Sequence, residues 1–271
     1  MTALDQGQSG GPLVTFEDVT FAYNSGSTPV LTNVNFEIHR GEVVTLLGHS
    51  GCGKSTLLKM VAGLIQPVEG RCLFGSELIR GINTQVGYMT QEDTLLPWRS
   101  LHANIALPLR LKGVPRNEIS DRVDAYLRLL KLEDAADMYP AQLSGGMKRR
   151  ALLARSVISD PVMILMDEPF AAIDADLRED LHNELRRTVE ALGQTVLFVT
   201  HDISEAALVS DRVIVLGGKP SAQAVATVEV AFGDGRDLDA VRISDKYFAL
   251  QKQMRLALSH AGSSVALEGR E

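Results

Sequence analysis

Val14, Phe16, Val19 and Phe21 roughly alternate with polar residues, and Val34, Phe36 and Ile38 repeat the pattern. Such alternation predicts strands with one buried face, the first of them at a sheet edge. After a turn at Arg40 and Gly41 the character changes. Val43-Val44-Thr45-Leu46-Leu47 is apolar almost throughout, which suits a strand covered on both faces of a parallel sheet. Residues 162–166 and 195–200 are runs of the same kind. Helical patterns lie between these runs. Leu57, Leu58, Val61 and Leu64 form a stripe. Residues 92–160 read as mostly helical, with Val123, Leu127 and Leu130 at helical spacing, and residues 175–192 as a charged amphipathic helix. Residues 211–232 predict short antiparallel strands about a Gly-Gly-Lys-Pro turn, with Ala226, Val228, Val230 and Phe232 alternating. Ile243, Tyr247, Leu250, Met254 and Leu258 predict a tail helix. Strands separated by helices predict a wound α/β fold.

Composition narrows the function classes. The chain has 271 residues, 45% of them hydrophobic, enough for a sizeable core in one or two domains. The net charge of −7 and pI near 5.4 disfavour general nucleic-acid binding, because an acidic surface repels a phosphate backbone. Cys52 and Cys72 are too few and too far apart for a zinc knuckle or a disulfide framework, and are expected reduced. Residues 1–12 are polar and Gly-rich and are expected disordered; they lack the basic start and apolar stretch of a signal peptide. No apolar run approaches the roughly 20 residues that span a bilayer, so a role at a membrane would need another chain. There is no internal repeat and no low-complexity block.

Gly48-His49-Ser50-Gly51-Cys52-Gly53-Lys54-Ser55 fits the phosphate-loop pattern G-x-x-x-x-G-K-[ST], with a buried strand before it and a helix after it. Glycines let successive N–H groups converge on phosphate oxygens, and the helix N-terminus adds partial positive charge. Residues 48–56 are therefore expected to hold a nucleoside triphosphate, ATP, with Lys54 reaching its β and γ phosphates and the Ser55 hydroxyl a hard ligand for Mg²⁺. Thr56 closes the segment. Asp167 and Glu168 end the apolar run 162–166, where ligands bind in open α/β sheets. Asp167 can hold Mg²⁺ through water and Glu168 can polarise the attacking water.

A kinase, a GTPase or a helicase could carry these two pieces. Leu143-Ser144-Gly145-Gly146-Met147, opening a helix just upstream of the acidic strand, decides between them: it resembles the LSGGQ signature of ATP-binding-cassette (ABC) ATPases. The rest of that family's set is present in the family's order. Tyr23 matches the aromatic residue that stacks on adenine, Gln91 the Q-loop glutamine, Asp174 the D-loop aspartate and His201 the switch histidine. Each has a physical reason as well. Ser144 can cap its helix while Gly145 and Gly146 free N–H groups for a second anion site. His201 ends a buried strand beside Asp167, Gln91 suits water or Mg²⁺ near phosphate, and the Tyr23 ring offers a π face to a base. Two departures stand out. Met147 replaces the usual glutamine, which leaves the backbone donors and Ser144 for phosphate. The D-loop is Ala171-Ala172-Ile173-Asp174 where Ser-Ala-Leu-Asp is common.

The resemblance covers about residues 14–232. It implies a phosphate-loop NTPase fold with a RecA-like wound core, an antiparallel β subdomain and a helical signature subdomain at about 92–160. The whole domain would span 13–232, with a C-terminal extension at 233–271. It implies Glu168, His201 and Lys54 in catalysis, Ser55, Gln91 and Asp167 about Mg²⁺, and a head-to-tail dimer, most simply of two identical chains. The segment Leu95-Leu96-Pro97-Trp98 looks like that of importer ATPases for nitrate, sulfonate, taurine and related solutes, and the LSGGM variant and the Val215 segment fit the same group. That implies permease subunits as partners, a solute-binding protein acting indirectly, and a place on the cytoplasmic face of the membrane. Trp98 either fills the helical core or offers a platform to a permease helix. A soluble ABC ATPase in DNA repair or ribosome work is the competing class, but no long heptad run and no second cassette is present.

Overall fold

A computed structural model describes the backbone of residues 11–24, 26–171, 175–218, 221–233 and 235–263, and the side chains of the same residues except 175–177 and 261–263. Asp174, Lys219, Pro220 and most of the N-terminal segment thus lie outside the described residues. The chain opens with β1 (Val14–Phe21), β2 (Leu31–Ile38) and β3 (Val43–Leu47), then α1 (Lys54–Val61). Next come β4 (Glu69–Phe74), β5 (Glu77–Leu78) and β6 (Val86–Met89). Four helices follow: α2 (Leu101–Ile105), α3 (Leu107–Leu111), α4 (Arg116–Leu129) and α5 (Gly145–Val157). The chain then alternates through β7 (Met163–Asp167), α6 (Ala175–Leu192), β8 (Thr195–Thr200), α7 (Ile203–Val209), β9 (Arg212–Gly217) and β10 (Gln223–Glu229). It ends in α8 (Leu238–Arg242) and α9 (Asp245–Ser263).

One sheet is antiparallel, in the order β2-β1-β4-β5; the other runs β10-β9-β3-β8-β7-β6 and is parallel except for β10 at its edge. The parallel strands are apolar throughout because each of their faces has its own core. Val44, Leu46, Leu165, Leu197, Val199 and Ile214 pack toward the antiparallel sheet and α1. Their neighbours Val43, Leu47, Ile164, Met166, Val196 and Phe198 pack into the core shared with the helices. This is the period-2 logic of a strand buried on both sides.

β1 corrects one expectation: it lies inside its sheet, between β2 and β4, not at an edge. Its partner β4 shows no alternation in sequence, since only Cys72 among its six residues is buried. The uneven spacing from Phe16 to Val19 is a bulge. Asp18 takes a left-handed φ of 50°, and the register shifts there against both neighbours. One extra residue restores the same buried face.

The tail helix forms, preceded by the short α8. Tyr247, Leu250, Met254 and Leu258 are buried in the helix-side core, and α9 packs on α7, β9 and β10. Ile243 does not join that stripe: it precedes the helix and is 80% exposed.

Candidate functional site

Four adjacent parallel strands deliver the candidate residues to one edge of the sheet. The register pairs Leu47 with Thr200, Val199 with Asp167, and Met166 with Met89. The chain leaving β3, β8 and β7 therefore emerges side by side as Gly48, His201 and Glu168, and Gln91 follows two residues past β6. This carboxyl edge is where open α/β sheets bind ligands.

The loop from Gly48 leads into α1 through Gly53. Gly53 has φ 91° and no side chain caps the helix, and its first turn holds no acid, so its N–H groups remain available to an anion. A Cβ on Gly53 would lie 2.6 Å from Leu31 Cδ2, and one on Gly48 2.7 Å from Cys52 Sγ and 2.9 Å from the Leu216 carbonyl oxygen. Neither position admits a side chain without movement. His49, Ser50 and Gly51 are exposed, and Cys52 is half-buried. Lys54 is buried, and its Nζ donates to the carbonyls of Gly48 at 2.8 Å and His49 at 3.0 Å. An ammonium has three donors, so one remains for a phosphate oxygen. Tyr23 is 62% exposed, and its ring is set by an edge contact with Phe21 and by its hydroxyl 3.1 Å from Thr56 Oγ1. A ring face is left open beside the loop.

Ser55 Oγ donates to Asp167 Oδ1 at 2.8 Å. Burial raises the Asp167 pKa; the Ser55 hydrogen bond opposes this, the Glu168 charge adds to it, and Lys59 and Lys54 oppose it. Glu168 sits next along at φ 44°, a strained conformation for glutamate. Its N–H bonds the Val199 carbonyl at 3.0 Å, and its carbonyl accepts from Ala171 at 3.1 Å. The carboxylate is shared: Oε2 accepts from Gln91 Nε2 at 3.4 Å and lies 3.3 Å from His201 Nδ1. Loop, acid pair, glutamine and histidine are thus brought together by one chain.

Ser144, Gly145 and Gly146 are placed differently. Ser144 caps α5, accepting the Met147 N–H at 3.3 Å, with Ser144 and Gly145 exposed. No hydrogen bond joins these three to residues 48–56 among the described residues.

Several residues not singled out in the sequence support the site. On α5, Arg149 donates to the carbonyls of Gln91 at 2.7 Å and Thr90 at 3.4 Å. Arg155 donates to the Thr94 carbonyl at 2.8 Å, and Lys148 pairs with Asp93 at 3.2 Å. The signature helix therefore grips the segment that carries Gln91. Asn104, fully buried, accepts the Leu96 N–H at 2.7 Å and donates to the carbonyls of Leu96, Arg99 and Ser100 at 3.1 Å each. It pins the turn that presents Trp98, which is 71% exposed. Trp98 is therefore not core. An asparagine inside the apolar stretch 101–109 was the one available signal.

A phosphate loop on a parallel sheet, an acid pair at the next strand tip and a separate serine-capped glycine helix define an ABC-type ATPase. The chain belongs to the ABC transporter family, whose profile matches residues 31–171. It binds and hydrolyses ATP as that family does. An uncharacterized ABC transporter ATP-binding protein of Methanocaldococcus jannaschii is 43% identical over 200 residues, covering 74% of this chain and 75% of the relative. The aliphatic sulfonates import ATP-binding protein SsuB of Bacillus thuringiensis subsp. konkukian is 40% identical over 200 residues, 74% of this chain and 78% of its own. A putative ATP-binding protein of Brucella abortus biovar 1 is 36% identical over 250 residues, 92% of this chain and 94% of its own. Among solved structures, the ATP-binding cassette MJ0796, dimeric in a post-hydrolysis state with ADP and Pi, superposes with a TM-score of 0.70. It is 30% identical, and the match covers 81% of this chain and all of that one. No described helix is long and apolar enough to cross a membrane.

Proposed function

We propose that this chain energises an importer, hydrolysing ATP between two copies of itself on the cytoplasmic face of a membrane. The observation that carries the hydrolytic part is the shared Glu168 carboxylate, within 3.4 Å of Gln91 and 3.3 Å of His201, beside the Ser55–Asp167 pair. Adenine stacks on Tyr23. The loop from Gly48 to Thr56, with Lys54, holds the β and γ phosphates. Glu168 accepts a proton from the attacking water, and His201 donates to a γ-phosphate oxygen.

Ser55, Asp167 and Gln91 would hold Mg²⁺. Their hydroxyl, carboxylate and amide oxygens are the hard donors that ion takes. Among the described residues no group of three His, Cys, Asp or Glu forms a cage. Bound there, Mg²⁺ would neutralise charge developing on the phosphoryl group.

Ser144, Gly145 and Gly146 of a second copy complete the site from the far side of the γ phosphate. Their separation from the loop within one chain and the dimeric state of the solved relative support this. A monomer then binds nucleotide and turns it over poorly. Trp98, exposed on the turn that Asn104 fixes, receives a permease helix, so closure around ATP is transmitted to the membrane subunits. The sulfonate importer named among the relatives supports a small solute of the nitrate, sulfonate or taurine type, delivered to the permease by a solute-binding protein.

Glu168→Gln tests the base: it should accumulate an ATP-bound dimer, seen by size exclusion, with turnover nearly abolished. Wild-type turnover would refute the assignment. For the transport role, Trp98→Ala should keep the free chain's ATPase rate while losing stimulation by a co-expressed permease. Full stimulation in that variant would remove the docking surface.

A further inference from the structure

A buried polar pair lies next to the hydrolytic residues and has no part in the chemistry above. His182 on α6 and Glu205 on α7 are 5% and 6% exposed. Nε2 of His182 faces Glu205 Oε1 at 3.8 Å and has no hydrogen-bond partner. The other carboxylate oxygen, Oε2, accepts the Thr200 hydroxyl at 2.6 Å. Thr200 Oγ1 in turn accepts the N–H of Asp202 at 3.0 Å. Thr200 and Asp202 are the two neighbours of His201. Asp202 then caps α7, accepting the N–H groups of Ser204 at 2.7 Å and Glu205 at 3.4 Å. The Glu205 carboxylate therefore holds the hydroxyl that holds both flanks of the switch histidine.

The other side of His182 packs on the segment that follows the base. Its ring meets Phe170 edge-on with centroids 4.5 Å apart, and Phe170 is two residues past Glu168. Phe170 also contacts Phe198 of β8. A cleft of about 120 Å³ is lined by Glu168, Phe170, Arg178, His201 and Glu205. Burying a carboxylate is costly, and Glu205 offsets part of that cost through the Thr200 hydroxyl, while His182 borders its other oxygen at 3.8 Å, beyond hydrogen-bond reach, and positions it by contact.

We propose that His182 is a positioning residue for hydrolysis. Through Glu205 and Thr200 it fixes the backbone on both sides of His201, and through Phe170 it ties that backbone to the segment that carries Glu168. Together these set the spacing between imidazole and carboxylate. The inference rests on the roles given above to Glu168 and His201.

Steady-state ATPase kinetics and nucleotide binding on the full chain test it. His182→Leu should lower kcat by about tenfold, the scale of a sub-ångström misplacement, with KM and ATP affinity within about twofold of wild type. His182→Gln, which keeps a polar side chain of similar reach against Glu205, should recover most of the loss. Thr200→Val breaks the same chain at its middle link with little change of shape, and should also lower kcat at constant KM. The His182→Leu, Thr200→Val double variant should be no worse than the poorer single one, because the links act in series. Wild-type kcat in folded His182→Leu or Thr200→Val, or losses that multiply in the double variant, would overturn the proposal. If His182→Leu does not fold, Thr200→Val decides alone. A His201→Ala control separates the two levels. Normal turnover there removes the switch role itself. Lost turnover there, with unaffected His182→Leu and Thr200→Val, removes only the positioning role.

Discussion

Arg149 gives the sharpest handle on whether α5 positions Gln91. Its guanidinium reaches from α5 to two successive carbonyls, at 2.7 Å on Gln91 and 3.4 Å on Thr90. Burial lowers its pKa, and the charge of Asp93 opposes that. A charged donor on a carbonyl contributes about 1.5–3 kcal/mol. Gln91 is exposed, so its carbonyl can rehydrate when the arginine is removed, and the lower end of the range applies. The 3.4 Å bond adds little. Arg149→Ala should therefore loosen the Gln91 backbone by about 1.5 kcal/mol, a population change of roughly tenfold.

If Gln91 must be aligned for turnover, kcat should fall by roughly that factor, and half-maximal activity should need more Mg²⁺. ATP binding without Mg²⁺ should not change, because the loop from Gly48 to Thr56 is untouched. Arg149→Lys should rescue only in part, since a point charge cannot span two carbonyls as a planar fork does. Titration of ATPase activity against Mg²⁺ for the three proteins reads all of this. A wild-type kcat and Mg²⁺ midpoint in Arg149→Ala would refute the idea that α5 positions Gln91.

Three further outcomes follow from burial and charge elsewhere in the chain. Met254 is fully buried on α9, so Met254→Ala should cost about 2–4 kcal/mol and lower Tm by roughly 5–15 °C in a thermal melt, with little effect on ATP affinity. The raised Asp167 pKa means that Mg·ATP affinity should fall, as pH drops, at a higher pH than an ordinary carboxylate near 3.8 would give. Without metal the sign reverses: the folded state holds that proton more tightly than the unfolded chain, so this stabilisation is lost as pH rises through the raised pKa, and Asp167→Asn should flatten both dependences. Burial raises the Cys52 thiol above 9.0 despite the charge of Lys54, so alkylation at neutral pH should be slow, quicken with pH, and slow further with ATP bound. Alkylation indifferent to ATP would place Cys52 outside the nucleotide's cover.

The parts legible in the sequence were those whose chemistry is local. Gly48 to Ser55 needs only its own strand and helix, and Asp167 and Glu168 announce themselves by ending an apolar run. Ser144 caps a helix with a residue three positions away. What the sequence hid depends on segments meeting. β4 is mostly exposed, and β6, the strand that delivers Gln91, is only four residues long, too short for its alternation to stand out. Arg149 is 58 residues from the carbonyl it holds, and His182 is 23 from Glu205; either reads as a surface charge on an amphipathic helix until the fold is known. Trp98 was ambiguous for the same reason, since its exposure follows from Asn104 fixing the turn and not from the turn's own residues.

The arrangement also explains why hydrolysis in such a site can be controlled from a distance. Glu168 is held by partners that arrive on two different arms. Gln91 leaves β6, and Arg149 ties its backbone to α5, the helix that opens with Gly145 and Gly146. His201 leaves β8 and runs at once into α7. The first turn of α7 is braced by α9, where Tyr247 Oη donates to the Ser204 carbonyl at 3.4 Å and Gln251 Nε2 to Ser204 Oγ at 3.3 Å. The carboxylate itself sits at φ 44°, a conformation that persists only where the surroundings over-determine it. On the roles proposed above, a shift of either arm by a fraction of an ångström would change which partner the carboxylate keeps, with the loop from Gly48 to Thr56 left as it is. On those roles, nucleotide binding and nucleotide turnover fall to different parts of one sheet edge, and a device that acts on α5 or α7 would change the second without the first.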